Sequence, residues 1–324
     1  MSHLLEKLAD GSYSMAYAGE TPWHGLGTKL PDNTSPQEML KAAGLDWTTE
    51  VIPTYYTYNK KRQPTGDAAL IRSHDGLLLD TVTEDWKPVQ NADAADFFQS
   101  YIDEASATMH TAGSINDGQK VWFLAKLKQD QFSLFKGKDV VEPFLLFTNP
   151  NIYGVSTSVS LTPVRVVCNN TLTLSLSGHK NSDKIIRVSH RREFIAEDVK
   201  KTLGLVTKKM TQYKEAMSFL ASKKISPEQL TEYLKVVFPV ITTKTDSKKD
   251  MSKTAQVALA AVEQQPGAEF GRGTYYPAYQ AVTFTLDHLS GRTDDARLNS
   301  AWYGDARTRK TKALETALEM ANAA

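Results

Sequence analysis

Lysines and arginines concentrated between residues 165 and 209 are the side chains best suited to bind a ligand. They are Arg165, Lys180, Lys184, Arg187, Arg191, Arg192, Lys200, Lys201, Lys208 and Lys209. Such cations bind the phosphates of a nucleic-acid backbone and release condensed counterions. Residues 179–224 hold 12 Lys and Arg against 5 Asp and Glu, whereas residues 1–110 hold 8 against 16. The basic charge is therefore local, as a binding face requires, although a solvated helix face has the same pattern.

Aromatic residues could add base stacking to this phosphate contact. The candidates are Tyr55, Tyr56, Tyr58, Trp86 and Tyr153. Nucleic-acid bases stack on aromatic rings and on Arg guanidinium planes, and this stacking tolerates any base sequence. Packing in a hydrophobic core is the ordinary role of an aromatic side chain, so core packing is the default expectation for each of the five.

An enzyme would need histidines or acids placed for proton transfer or metal binding. The sequence has seven histidines but no His-Glu-x-x-His, no Gly-x-Ser-x-Gly and no close acidic cluster. Asp287, His288 and His190 could converge in space, yet neighbours on a helix point about 100° apart, so Asp287-His288 alone is not a dyad. Cys168 fits a buried strand better than a nucleophile, and Trp23-His24 fits a loop anchor better than a functional pair. We expect a binding protein that needs no cofactor.

Composition indicates a globular chain. The 324 residues are 41% hydrophobic with a formal net charge of +1, enough to bury one large core or two smaller ones. A single cysteine excludes an internal disulfide, which suits a reducing compartment. No stretch approaches the roughly 20 apolar residues of a membrane span, and the N-terminus does not resemble a signal peptide. We expect a soluble, cytoplasmic protein.

The first part of the chain predicts a sheet with a few covering helices. Strand formers lie at residues 47–58, 68–72, 77–82, 121–127 and 144–148, and residues 59–66 form a polar turn. Asp75-Gly76 predicts a hairpin, with His74 and Asp75 exposed at its turn. Residues 161–176 form two short apolar runs, with a core strand over residues 171–176 and a bend or bulge at Asn169-Asn170. Helices are expected from a Ser35 cap to Ala43 and over residues 91–102.

The second part predicts helices. A long amphipathic and basic helix spans residues 193–220, and a further helix runs from Ser226 to about residue 238. Residues 242–253 are polar and Lys-rich, as in a linker. Helices follow over residues 278–289 and 305–323. We therefore predict an α+β fold, a mainly antiparallel sheet packed by helices, with an α+β core over residues 1–190 and a mainly helical part over 191–324.

The sequence resembles a family of unknown function found in phage and plasmid genomes. The resemblance rests on Thr21-Pro22-Trp23-His24-Gly25-Leu26-Gly27, Trp86-Lys87-Pro88-Val89-Gln90-Asn91, Thr111-Ala112-Gly113-Ser114 with Val121-Trp122, residues 162–171, and Ala281-Val282 to Asp287-His288 with Ala301-Trp302-Tyr303-Gly304-Asp305. It implies a mobile-element setting in the host cytoplasm and brings no catalytic residues. Members typically have His-Thr where this chain has His190-Arg191, so a role for that hydroxyl is not expected here.

These observations favour a phage-type protein that binds single-stranded DNA as a homo-oligomer and aids annealing or recombination. Backbone capture would fall to residues 180–209, with the bases left accessible for pairing. Phage single-strand annealing proteins share the general design of a sheet with a basic helix that assembles into rings, an analogy at the level of the fold. The alternatives are a protein-interaction or host-defence-modulating factor and a metal-dependent nucleic-acid enzyme. No membrane partner is expected.

Overall fold

The computed structural model describes most of the chain. The described residues are 5–8, 10–19, 26–104, 106–128, 131–165, 170–171, 186–203, 206–240, 251–290, 300 and 304–323. Within these, the side chains of residues 165, 170–171 and 200–203 and 206–209 are not described. Contacts group the chain into one unit of residues 1–129, 144–161 and 185–204, and a second of residues 130–143, 162–184 and 205–324. The domain limits predicted at residue 190 stay a prediction.

The predicted α+β class, with mainly antiparallel sheets and a helical C-terminal part, is confirmed. The strands are β1 Met15–Ala18, β2 Thr28–Leu30, β3 Thr49–Tyr58, β4 Lys61–Arg72, β5 Leu78–Thr83, β6 Ala107–Ile115, β7 Lys120–Leu127, β8 Phe132–Leu134, β9 Asp139–Pro150, β10 Thr157–Arg165, β11 Asn170–Thr171 and β12 Ile186–Val188. The helices are α1 Pro36–Ala42, α2 Asn91–Asp103, α3 Ala196–Leu203, α4 Val206–Ser222, α5 Pro227–Val237, α6 Lys253–Gln264, α7 Tyr275–Phe284 and α8 Asp305–Ala323, with a π-helical turn at Thr285–Leu289.

The first unit is built on a sheet whose strands run in the order β10, β9, β7, β6, β1 and β2, with β12 paired to β10. The pairs β1–β6, β6–β7, β7–β9 and β10–β12 are antiparallel, and β1–β2 is parallel. Helix α2 buries Phe97 and Phe98 against this sheet. The ring centre of Phe98 lies 6.3 Å from that of Phe123, and the ring centre of Phe97 lies 5.8 Å from that of Phe147. Burial of these rings provides much of the driving force for this layer.

A separate three-stranded antiparallel sheet, in the order β3, β4, β5, belongs to the same unit. The predicted Asp-Gly hairpin is confirmed as the β4–β5 turn, where Arg72 donates to both carboxylate oxygens of Asp75, at 3.1 and 2.6 Å. This ion pair holds the pKa of Asp75 at about 2, mainly through the hydrogen bonds from Arg72. The predicted polar turn at residues 59–66 is wrong beyond its first two residues. Residues 61–66 continue β4, because Asn59 and Lys60 alone reverse the chain.

Helices dominate the second unit. Ser226 caps α5 with a capping box, as its sequence predicts, and Ser35 caps α1 in the first unit in the same way. The predicted helix over residues 193–220 is observed as α3 and α4, on either side of residues 204–205, which lie outside the described part. Helix α6 was not predicted. No helix in the described ranges combines the length and apolar character needed to cross a membrane.

The central stretch predicted at residues 161–176 is only partly described. Leu161 continues β10, and Val164 and Arg165 pair with Thr171 and Asn170 of β11. Residues 172–180 lie outside the described part of the chain, as do Cys168 and the Trp23-His24 pair. The predicted linker also falls largely outside it. Its last two residues, Ser252 and Lys253, form the cap and the first turn of α6.

Candidate nucleic-acid interface

A two-stranded ribbon projects from the three-stranded sheet, and we call residues 52–67 the arm. Strand β5 pairs with β4 only from Asp67 onward, so the part of β3 and β4 beyond it has no third strand. Asn59 and Lys60 have φ angles of 48° and 60°, the left-handed values that a two-residue hairpin turn demands. Asn favours this geometry, and the twist of the turn matches that of the strands.

The register of the arm places a tyrosine and a cation on each of its faces. Tyr58 lies opposite Lys61 and Thr57 opposite Arg62, and side chains of opposed residues share a face. Tyr55 lies on the same face as Thr57, two residues away, and the Arg62 guanidinium stacks 3.8 Å from the centre of its ring. Tyr56 lies on the same face as Tyr58. The second face therefore carries two tyrosines beside Lys61.

Exposure of the arm is high on both faces. The exposed fractions of Tyr55, Tyr56 and Tyr58 are 47%, 53% and 68%, and that of Ile52 is 46%. Core packing, the default expectation for these tyrosines, is therefore wrong. The tyrosines extend from a ribbon instead of facing the core of a sheet. Large aromatic side chains left in water on a protruding element mark a surface that contacts another molecule.

A second surface surrounds His190, and we define the His190 patch as Lys87, Tyr153, Arg187, Arg191 and Arg192. All five are exposed. Lys87 follows Trp86 in the chain and the three arginines flank His190, and the rings of Trp86 and His190 stack with centres 4.2 Å apart at 12°. Tyr153 is 51% exposed and its ring centre lies 6.1 Å from that of Trp86. Trp86 is buried, with 8% of its surface exposed. The expectation of core packing is therefore confirmed for this residue alone among the five aromatic candidates.

Backbone contacts explain how these residues, distant in sequence, come together. The Lys87 N–H donates to the His190 carbonyl at 2.6 Å, and the imidazole Nδ1 lies 3.1 Å from the Lys87 carbonyl. A carbonyl only accepts, so Nδ1 carries the proton in this bond. Strand β12 places Arg187 beside Ser158 of β10, and the Arg192 N–H closes the following turn on the Ser189 carbonyl at 3.0 Å.

The His190 imidazole is held in place and kept neutral. It is 3% exposed, and Nε2 lies 3.4 Å from the hydroxyl of Thr157, which donates to Asn149 at 2.7 Å. Burial lowers the pKa of His190, and the hydrogen bonds with the Lys87 and Pro150 carbonyls offset only part of that effect. The ring therefore serves as a neutral platform under Trp86.

Carboxylates in the same segments limit the positive charge of the patch. Glu84 and Asp85 are exposed next to Lys87 in the chain. The pKa of Asp85 is lowered, first by a hydrogen bond from Thr83 and also by the charges of Arg191 and Lys87. The patch thus offers a few cations interleaved with acids, and only a small number of phosphates could bind there.

The structure places eight of the ten predicted basic residues, on several elements. Arg187, Arg191 and Arg192 lie together, exposed, on β12 and the turn after it. Arg165 ends β10, Lys200 and Lys201 lie on α3, and Lys208 and Lys209 lie on α4, with side chains outside the described set. Lys180 and Lys184 lie outside the described residues. The predicted set lacks Lys60, Lys61, Arg62 and Lys87, and the signal available for the first three was their position just after Tyr55, Tyr56 and Tyr58.

The residues considered for catalysis are engaged otherwise. Asp287 pairs with Lys310 in the second unit, and His288 packs on Phe284 with ring centres 4.9 Å apart. His190, in the first unit, is enclosed by the contacts given above. Within the described ranges no group of three His, Cys, Asp or Glu side chains is placed to hold a metal ion.

Comparison with known families gives one result. Residues 78–317 match the family described as a domain of unknown function, DUF932. The chain belongs to the DUF932 family. Neither the search of curated proteins nor that of solved structures gives a match. The match includes the three arginines of the His190 patch and the Asp287–Lys310 pair, and the arm precedes it in the chain.

Proposed function

We propose that this DUF932 protein binds single-stranded DNA and serves annealing or recombination for a phage or plasmid element as a homo-oligomer. The observation that carries the proposal is the His190 patch. The exposed ring of Tyr153 lies 6.1 Å from that of Trp86, which stacks on His190, and exposed Arg187, Arg191 and Arg192 flank His190 in the chain. Phosphate contacts by the arginines and stacking by the tyrosine are the two interactions that a single strand needs. A binding site of this kind requires no cofactor.

Single strands suit this surface better than a duplex. The aromatic ring must reach the face of a base, and in a duplex those faces are covered by stacking, whereas in a single strand they are accessible. The arginines can also bind phosphate with two parallel hydrogen bonds, because the guanidinium is planar.

The test is binding of a fluorescent oligothymidine to the full chain over a series of salt concentrations. We expect the slope of log affinity against log salt to become less steep by about 1.4 in Arg191→Glu/Arg192→Glu, since each phosphate contact contributes about 0.7 for single strands. The control, Lys29→Glu/Lys41→Glu, makes the same change of charge at exposed residues of β2 and α1 in the same unit. It should keep the parent slope.

The turn that carries the arginines should survive their replacement, because backbone atoms close it. Circular dichroism of each variant checks this. Sedimentation of the parent should give a multiple of 36.0 kDa. Absence of binding by the parent at low salt would overturn the proposal and direct the search to protein partners. An unchanged slope in the arginine variant would remove the patch as the site.

A further inference from the structure

We propose that the arm is a second nucleic-acid site, a stacking element that holds the bases of a single strand between tyrosines. This inference rests on the proposed function and assigns base contact to a part of the chain outside the residues matched by the family. The arm belongs to the first unit, as does the His190 patch. It differs from the patch in the balance of its charges and in the number of its aromatic rings.

The arm carries a net positive charge, and its single acid, Asp67, lies at its base. Residues 52–66 contain Lys60, Lys61 and Arg62 and no Asp or Glu. Lys60 lies at the tip, and Lys61 and Arg62 lie on opposite faces just behind it. A polyanion that passes over either face therefore meets a cation next to a tyrosine, and the one carboxylate of the arm, Asp67, lies at its base where β5 begins to pair.

The edges of the arm are poorly suited to pair with a strand of another protein. Pro53 of β3 and Pro64 of β4 lack the N–H that a neighbouring strand would need, and prolines in strands occupy edge positions for this reason. On β3 the Thr49 N–H points away from β4 and donates to the Gln90 side chain at 2.9 Å. Pro53 lies four residues further along β3, so its nitrogen is on the same outer edge as that of Thr49 and has no N–H to offer there. The partner is therefore contacted by side chains on the faces.

The chemistry of these faces favours bases over an apolar protein surface. Three of the exposed rings are tyrosines, which present an aromatic face and a polar hydroxyl, and the stacked Arg62 extends the plane of Tyr55. A ring accepts any base by stacking, whereas an apolar partner would select branched aliphatic side chains. Tyr56 and Tyr58, two residues apart on one face, are about 7 Å apart along the strand, enough for bases to stack beside or between them.

The test separates stacking from charge. It compares affinity for a 20-residue oligothymidine with affinity for an oligomer of the same length that has abasic sugars. We expect the parent to bind the oligothymidine at least about tenfold more tightly, since one stacked base contributes a factor of that order or more. Tyr56→Leu/Tyr58→Leu should lose most of this preference and keep the salt slope, because it removes rings and no charge.

Tyr56→Phe/Tyr58→Phe is the matched control, since phenylalanine stacks and also favours strands. It should retain the preference of the parent, and circular dichroism should show all three proteins folded. A leucine variant with the preference of the parent overturns the role of the arm, while salt-sensitive binding by the parent still supports the proposed function. A parent that binds both oligomers equally overturns base stacking both at the arm and at Tyr153. If the parent binds neither oligomer, both the role of the arm and the proposed function are overturned. A lower sedimenting mass of the leucine variant without DNA would instead show that the arm contacts a second copy.

Discussion

Removal of one partner from the buried ion pair between Asp287 and Lys310 should destabilise the second unit severely. Asp287 lies in the π-helical turn and Lys310 in α8, with side chains only 6% and 1% exposed. Asp287→Ala leaves a lysine charge buried without this carboxylate, and loss of one partner from such a pair costs about 3–5 kcal/mol. Lys310→Met leaves the carboxylate in the same position and should cost a similar amount.

The double variant Asp287→Leu/Lys310→Met should cost less than either single change. It removes both charges and fills their space with apolar groups, and such a replacement often leaves the stability of a protein unchanged. The assay is urea-induced unfolding followed by circular dichroism, with free energies obtained by linear extrapolation. A double-mutant cycle closed with the single variants Asp287→Leu and Lys310→Met gives a coupling energy that isolates the pair from the packing of each side chain.

The pH dependence of the stability of Asp287→Ala is an independent test of the buried pair. Burial lowers the pKa of Lys310 from its ordinary value of 10.5, and Asp287 offsets part of this effect in the parent. Without the carboxylate, the folded variant releases the lysine proton at a lower pH while the unfolded chain keeps it. Its stability should therefore rise with pH, by up to about 1.4 kcal/mol per unit between the two pKa values. If Asp287→Ala loses less than about 1 kcal/mol of unfolding free energy and its stability does not change with pH, the buried ion pair is refuted.

Two further predictions concern the first unit. Because burial lowers the pKa of His190 below 6.5, the unfolded chain binds a proton that the folded chain does not, so stability should fall as pH drops below 6.5. Urea unfolding at several pH values should show that the stability of His190→Gln falls less steeply with decreasing pH than that of the parent. The control, His74→Gln at an exposed position, should fall as the parent does, and equal profiles for all three proteins would contradict the prediction. Gly113→Ala should cost about 1–3 kcal/mol, because its Cβ would lie 2.5 Å from the Trp122 ring. Thermal unfolding measures the loss, and an unchanged midpoint would exclude that close contact.

Local signals allowed much of the fold to be predicted. Ser35 and Ser226 each form a capping box with the side chain three residues later, and Asp75-Gly76 closes a hairpin. In these cases the residues that decide the structure are neighbours in the sequence, so a short window contains the whole cause. Helix α6 escaped prediction because its Ser252 cap lies in a polar, Lys-rich stretch that is typical of a linker.

Only the first strand of the arm could be predicted by the same rules. A strand is recognised from alternation between a buried and an exposed face, and the far half of the arm is exposed on both faces. The composition of residues 61–66 therefore indicated a turn, although their partners in β3 hold them in register. The expectation that Tyr55, Tyr56 and Tyr58 pack in a core failed for the same reason.

The candidate site was predictable in its residue types but not in its arrangement. The sequence indicated Arg191 and Trp86 separately, yet nothing in their spacing connects them. The link is the backbone pair between Lys87 and His190, 103 residues apart, which brings the arginine turn beside the Trp86 ring. Long-range pairing of this kind depends on the order of strands in the sheet, which local patterns do not specify.

The position of the family match makes the two proposed surfaces separable. The arginines of the His190 patch lie within residues 78–317, whereas the whole arm lies before them. Phosphate capture would thus belong to the part of the chain that defines the family, and base stacking by the arm to the segment that precedes it. The charges agree with this division, since the patch mixes arginines with Glu84 and Asp85 while residues 52–66 carry cations alone. If one strand occupies both, replacing the arm tyrosines should alter base preference, and replacing the arginines should alter salt dependence.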